Sequence, residues 1–412
     1  MKFTLATALS LAGYAAAAAT NGPYAVGAAT SGFETGVLNS TILCNVSSTG
    51  LNLKNQVIGF GIAANLPNIV NVSQPFYVQA AARLIVPASI NNLAYGFGAR
   101  TYAGTATKVL VNAKGSTPSQ VDAAAPSGIV IPSAPVNSGA VSVLNVPAIG
   151  SNIKVGTFKG TAANSQVVFS IGDLAATVNT YNSTGGATFL VANITCPAQT
   201  RPASLAYVAV GSGTTVTTIT PATIASIPTI PVNSTAGVTG YTYSCTFTNV
   251  GTAPVQVSLG GAKASNAAVA SGTTFSVTQG QGNIYSSAAL VSLIQGKYPS
   301  ANNFAITIAS LAFNAINATP TTQNGIPSGG LNSGVLPVSS TAVAAIPSGA
   351  PTTTLPAVSF TASGASGTTA SVSLGAASGT LFVYNGSTQL ASVAFSCPAL
   401  SPNVPIFPYD IL

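Results

Sequence analysis

The side chains that most often carry acid/base, nucleophilic or metal chemistry are scarce in this sequence. Histidine is absent from all 412 residues, which removes the commonest general base and the commonest ligand of catalytic zinc. The carboxylates are Glu34, Asp122, Asp173 and Asp410, and a glycosidase needs two carboxyl groups about 5 to 10 Å apart. These four are scattered along the chain, so we predict no catalytic, cofactor-binding or metal site and no enzymatic activity.

Three further motifs have plain structural interpretations. Asp173 follows Gly172 and is interpreted as a turn residue. The run Gly280-Gln281-Gly282 lacks the third glycine of a phosphate-binding loop and is interpreted as a hairpin turn. Serine and lysine leave a Ser-Lys hydrolase formally open, but no Ser-x-x-Lys stands out at the start of a predicted helix.

The four cysteines form the clearest pattern. Cys44 and Cys196 are 152 positions apart, and so are Cys245 and Cys397, which is the spacing that a duplicated domain produces. Four cysteines allow three sets of disulfides. The repeat favours Cys44 with Cys196 and Cys245 with Cys397, a pairing that places the first and last strands of each domain side by side.

The N-terminus predicts export. Lys2 is followed by an apolar stretch over residues 3–15 and by small residues at 17–19, the pattern of a cleaved signal peptide over residues 1–19. We therefore expect a secreted protein, extracellular or associated with the cell wall, with paired cysteines and some glycosylated asparagines. The Asn-x-Ser/Thr acceptor sequences start at Asn39, Asn45, Asn71, Asn182, Asn193, Asn233, Asn317 and Asn385.

The charge distribution restricts the partners. Charged residues make up 4% of the chain, mean hydropathy is +0.51, and the 11 lysines and arginines are dispersed without a basic cluster. Nucleic-acid binding needs concentrated positive charge, so we expect none. After residue 19 no stretch of about 20 uninterrupted apolar residues could span a bilayer, so we expect no transmembrane segment.

Most of the chain has the alternating, β-branched composition of half-buried strands, with turn residues between them. We predict an all-β fold of two tandem β-sandwich (Ig-like) domains, each closed by one disulfide and each with a short helix, at 88–95 and 286–294. The predicted boundaries are a first domain over 20–212, a Thr/Pro-rich linker over 213–236 and a second domain over 237–412. Residues 123–135 and 326–356 are predicted to be long connections within the domains.

Short motifs suggest a family. The first repeat begins with a cysteine strand, continues with Ala64-Asn65-Leu66-Pro67 and carries Ile171-Gly172-Asp173-Leu174 before its last cysteine strand. In this it resembles the secreted Ala/Thr/Val-rich β domains of unknown function in actinobacterial exported proteins. The second repeat departs from the pattern, with Gly375-Ala376-Ala377 at the corresponding place. The resemblance implies architecture and export, and it carries over no functional residues.

Two non-enzymatic functions remain. In the first, the protein is a glycosylated structural component of a cell surface, wall or matrix. In the second, each sandwich carries an apolar ligand such as a lipid or sterol, and composition does not separate an apolar cavity from a filled core. Carbohydrate binding is disfavoured by the absence of tryptophan, although tyrosines could stack on sugars: Tyr24, Tyr181, Tyr207, Tyr384 and Tyr409.

Overall fold

A computed structural model of the chain describes residues 32–34, 38–67, 69–148, 151–182, 186, 188–199, 204–211, 235–263, 268–348, 354–399 and 404–412. The predicted signal peptide and residues 213–234 of the predicted linker lie outside the described residues.

The first domain consists of strands and one short helix. In chain order these are β1 (Gly32–Glu34), β2 (Leu38–Ser48), β3 (Leu51–Leu66), β4 (Ile69–Asn71), β5 (Pro75–Val86), α1 (Ala88–Gly96), β6 (Thr101–Lys114), β7 (Ser116–Thr117), β8 (Gln120–Asp122), β9 (Ile129–Pro135), β10 (Ser142–Val146), β11 (Ile153–Gly160), β12 (Ser165–Tyr181), β13 (Thr188–Cys196) and β14 (Ser204–Gly211).

The second domain repeats this order from β2 onward, with a single parallel bridge between Val269 and Ile411 at the place of β4. Its elements are β15 (Thr235–Phe247), β16 (Gly251–Lys263), β17 (Thr274–Tyr285), α2 (Ala288–Lys297), β18 (Asn303–Ile316), β19 (Ala318–Thr319), β20 (Thr322–Asn324), β21 (Leu331–Pro337), β22 (Val343–Ile346), β23 (Val358–Ala362), β24 (Thr369–Asn385), β25 (Thr388–Cys397) and β26 (Val404–Asp410).

The strand pairing is also the same in both domains. In the first, β5 pairs with β3, β3 with β2, β2 with β13, β13 with β12 and β12 with β6, all antiparallel. In the second, the corresponding order is β17, β16, β15, β25, β24 and β18. The last strands, β14 and β26, pair with the first halves of β12 and β24. The predicted all-β fold of two sandwich domains is confirmed.

Each core is filled by side chains from alternate strand positions, which point to one face of a sheet. In the first domain the rings of Phe76, Phe158 and Phe169 pack with centroids 5.2 to 6.2 Å apart. In the second, Phe275 packs on Phe360 and Tyr409. These offset and edge-on ring contacts add to the free energy gained from burying apolar area.

The two helices lie near the predicted places. Asn91 of α1 is buried, its carboxamide nitrogen donates to the Ala140 carbonyl at 2.6 Å, and its carboxamide oxygen accepts from the Tyr102 hydroxyl. In α2, the Ser287 hydroxyl caps the helix by accepting from the Leu290 amide. Within the described residues, no helix is both long enough and apolar enough to cross a bilayer.

Several turn and loop predictions were wrong. Gly280-Gln281-Gly282 lies inside β17, where a Cβ at position 280 would come within 3.0 Å of Leu355. Asp173 lies inside β12, at a bulge in its pairing with β6. The predicted connections 123–135 and 326–356 contain β9, β21 and β22. Glycine and proline do occur in strands where the backbone bulges or a neighbour approaches closely.

Candidate functional site

Both predicted disulfides are present. Cys44 bonds to Cys196 and Cys245 bonds to Cys397, and these are all the cysteines of the chain. In the first domain Asn45 is the register partner of Thr195, and in the second Thr246 is that of Ser396. Each disulfide therefore joins the two cysteine strands of its domain, β2 with β13 and β15 with β25, one position beyond the same register pair. The cysteine pairing is the predicted one, but β14 and β26 follow the second cysteine of each domain, so the cysteine strands are not the last strands as predicted.

The described carboxylates all accept hydrogen bonds from backbone amides. Asp122 accepts from the Val109 and Ala124 amides, both at 2.9 Å. Asp173 accepts from the Ala198 amide at 2.7 Å. Asp410 accepts from the amide and the hydroxyl of Ser204. The side chain of Glu34 lies outside the described residues. The sequence analysis assigned these acids no catalytic role, and in the structure the described ones fix the backbone.

Asp173 has a second partner. Its other carboxylate oxygen lies 2.9 Å from the Lys108 ammonium, in an ion pair whose two side chains are both about two-fifths exposed. The hydrogen bond from Lys108, followed by that from Ala198, lowers the pKa of Asp173. The acid of a glycosidase needs a raised pKa, so this carboxylate is suited to remain ionised. Asp122 lies across β6 from it, with its own carboxylate oxygen held by two amides.

The two domains meet where β14 packs against β26. All eight residues of β14 are buried. The Tyr207 hydroxyl donates to the Val372 carbonyl at 2.9 Å, while the amide and hydroxyl of Ser204 both donate to the carboxylate of Asp410. We call this set of contacts the domain junction.

A further bond and a bridging strand complete the domain junction. The Gln166 carboxamide donates to the Ser371 hydroxyl at 3.0 Å. Strand β1 pairs with β3 of the first domain on one side and with β15 of the second on the other. Burial raises the pKa of the Tyr207 hydroxyl, which therefore stays protonated and donates. Breaking one such buried bond costs about 1–3 kcal/mol because the partner is left unsatisfied.

Two voids are relevant to ligand binding. A cleft of about 810 Å³ lies beside the domain junction and is lined by residues of both domains. An apolar cavity of about 60 Å³ lies inside the second sandwich, between the sheet residues around Phe247 and Phe395. Drug-sized ligands occupy pockets of roughly 300–1,000 Å³, and of these two voids in the described part of the chain the cleft has that size.

The acceptor asparagines differ in their surroundings. Asn182 and Asn385 are exposed at the same hairpin of the two domains, and Asn193 is exposed on β13. Asn317 is exposed and lines the cleft. Asn45 and Asn71 are half-buried. The side chain of Asn39 and all of Asn233 lie outside the described residues. Glycosylation at these sites stays a prediction.

Two of the tyrosines considered for sugar stacking are core residues. Tyr207 is 2% exposed and Tyr409 is 4% exposed, so neither ring offers a face to a sugar at the surface. Tyr181 and Tyr384 are half-buried at the equivalent hairpins, and Tyr24 lies outside the described residues.

The sequence analysis did not identify Ser204 and Gln166, because the bonds that they make reach more than 200 positions along the chain.

The comparisons with known proteins add one match. No curated protein and no solved structure matches the chain. The one match is to a family model, and it covers β2 to the start of β14, which is nearly the whole first domain. Over residues 41–206 the chain is similar to a family of unknown function, DUF6801.

Proposed function

We propose that this protein is a secreted, glycosylated and non-enzymatic structural component of a cell surface or cell wall, in which the two domains act as one stiff unit. The domain junction is the observation that carries the proposal. A buried strand, three side-chain contacts and a bridging strand connect the domains. A flexible linker alone would let the domains move independently.

The surface supports a role in assembly. Leu43 and Val57 are register partners on β2 and β3, and they are 50% and 55% exposed. Val143 of β10 and Val343, at the equivalent position of β22, are also exposed. Apolar side chains that lie side by side on a nearly uncharged surface favour contact with other macromolecules.

The carboxylates support the absence of catalysis. The carboxylates of Asp122, Asp173 and Asp410 each accept a hydrogen bond from a backbone amide. For Asp173 the hydrogen bonds from Lys108 and Ala198 also lower the pKa, which makes this carboxyl group a poor proton donor. The recurring order of elements further leads us to propose that the second domain is a second copy of the first, and that both are modules of the kind found in actinobacterial exported proteins.

The alternative is that each sandwich carries a lipid or sterol. The apolar cavity of about 60 Å³ in the second sandwich is well below the size of a ligand pocket, which favours a filled core. Native mass spectrometry of protein from its own source tests the alternative. We expect the mass of the glycosylated chain alone, and a retained lipid would favour the carrier.

Sedimentation with insoluble wall material from the source organism tests the structural role. We expect the protein to sediment with the wall, and we expect the double substitution Leu43→Ser, Val57→Ser to release most of it into the supernatant. Val130→Ser, at an exposed valine of β9, is the matched control and leaves sedimentation unchanged. A fully soluble, monomeric wild-type protein in the presence of wall would contradict the proposal.

A further inference from the structure

The cleft beside the domain junction has the place and size of a ligand site. Its walls are the end of β6 and the start of β12 from the first domain, and the end of β18 and the start of β24 from the second. Its volume of about 810 Å³ lies within the roughly 300–1,000 Å³ of small-molecule sites, which often form at domain interfaces.

The walls of the cleft are held in place before any ligand arrives. The bond from Gln166 to Ser371 joins the two walls directly, and the bond from Tyr207 to Val372 joins them at the floor. A preformed cleft loses little conformational entropy on binding. The contacts of the domain junction therefore fix the walls of the cleft and also stiffen the molecule.

The polar groups of the lining are almost all neutral amides and hydroxyls. Asn164, Gln166, Thr368 and Thr369 line the cleft. The Asn164 carboxamide and the Thr369 hydroxyl make no hydrogen bond with other described residues, so both can bind a ligand. Amides and hydroxyls donate and accept at once, which suits a ligand that is rich in hydroxyl groups.

Among the described residues that line the cleft, Lys114 is the one cation. The Lys114 side chain is exposed, lines the cleft and makes no ion pair or hydrogen bond within the described residues. No carboxylate of a described residue lines the cleft. An unpaired ammonium beside neutral donors selects a ligand with a negative group, since a hydrogen bond between charged partners is about twice as strong as a neutral one.

We propose that this cleft binds an oligosaccharide that carries a carboxylate, of the class of hexuronic-acid chains. The sugar hydroxyls bind the amides and hydroxyls, the carboxylate binds Lys114, and the apolar faces of the rings pack against Val168 and Ile316. The inference does not depend on the proposed structural role. A protein that fails to sediment with insoluble wall can still bind a soluble oligosaccharide.

Isothermal titration calorimetry tests the proposal with two probes, tetragalacturonic acid and the neutral maltotetraose. The full chain carries Thr319→Ala in every sample, because this substitution removes the acceptor sequence at Asn317 and leaves the Asn317 side chain in the cleft. We expect tetragalacturonic acid to bind more tightly than maltotetraose, and we expect added salt to weaken its binding.

Two pairs of variants locate the site. Lys114→Gln weakens tetragalacturonate binding roughly three- to fivefold, whereas Lys54→Gln, at an exposed lysine of β3, leaves it unchanged. Ala399→Trp fills the cleft opening and abolishes binding. Ala198→Trp, at the equivalent exposed position after the cysteine of the first domain, has no effect.

Three outcomes would overturn the proposal. The first is no binding of either probe by a folded protein, and the second is equal binding by the Ala399→Trp and Ala198→Trp variants. The third is displacement of tetragalacturonate by an equal concentration of tetraglutamate, because this would make the cleft a general anion site without preference for a saccharide.

Discussion

At the scale of single residues, the described aspartates of this protein fix the backbone. Lys108 and the Ala198 amide hold the carboxylate of Asp173 from two directions. The bonds join β6, the bulge of β12 and the segment that follows Cys196. In the second domain Ala376 follows the corresponding glycine, so this three-way connection exists only in the first domain.

The lowered pKa of Asp173 predicts how this connection depends on pH. Because the folded-state pKa lies below the unfolded value of about 4, the stabilising effect is complete above the unfolded pKa and is lost as the pH falls through the folded pKa. Asp173→Asn should therefore lower the melting temperature at pH 7, and the difference from wild type should shrink in acid. Thermal melts from pH 7 to pH 2 measure this.

A thermodynamic cycle provides the control for that prediction. Lys108→Gln should have a similar effect at pH 7, and adding it to Asp173→Asn should cost less than the sum of the two single substitutions, because the residues are in contact. A difference between wild type and Asp173→Asn that is constant across the pH range would show that the carboxylate charge contributes nothing.

At the scale of elements, long strands that carry two or more partners shape both domains. β12 pairs with β6 along most of its length, while its two halves pair with β14 and β13 on the other side. The hairpin after it differs between the domains. The connection spans residues 182–187 in the first domain and residues 386–387 in the second, where Gly386 has a φ of 60°.

The backbones of two paired strands approach so closely at Gly104 that this position is sensitive to substitution. A Cβ at Gly104 of β6 would collide with the Thr177 carbonyl oxygen of β12, and neither strand can shift without disturbing its other partner. Gly104→Ala should therefore lower the free energy of unfolding by about 1–3 kcal/mol, as measured by urea denaturation. Gly96→Ala, at the end of α1 where nothing lies within 4 Å of the added carbon, is the matched control. Equal midpoints for the two variants would contradict the prediction.

At the scale of the whole molecule, the domain junction determines whether the two sandwiches behave as one. The buried contacts between β14 and the second domain mean that unfolding either domain exposes apolar surface of the other. Such coupling produces one cooperative transition, while independent domains produce two. The wild-type chain should therefore unfold in a single calorimetric peak.

Substitutions of two buried tyrosines form a matched pair of variants that tests this coupling. The Tyr207 hydroxyl donates to Val372 across the domain junction, and the Tyr243 hydroxyl donates to Gly375 within the second domain. Tyr207→Phe should remove about 1–3 kcal/mol from the contact between domains and broaden or split the calorimetric peak. Tyr243→Phe should lower the melting temperature and leave a single peak. The same peak shape in both variants would contradict the coupling.

The sequence determined those properties that depend on local composition or on repetition. Equal cysteine spacing predicted both disulfides, because equivalent positions in a repeated fold pair in the same way. Alternating β-branched residues predicted the strands, and both short helices lie near the segments predicted for them. The turn interpretations of Asp173 and Gly280-Gln281-Gly282 failed because the hydrogen bonds of a neighbouring strand override the local preference of glycine and aspartate.

Only the tertiary structure decided how the domains meet and what lies between them. Ser204, Gln166 and Tyr207 have ordinary neighbours in the sequence, and their partners lie between 165 and 206 positions away. The cleft and its unpaired Lys114 arise from the same packing. Contacts between repeats differ from contacts within them, so the periodicity that revealed the domains holds no information about the surface that joins them.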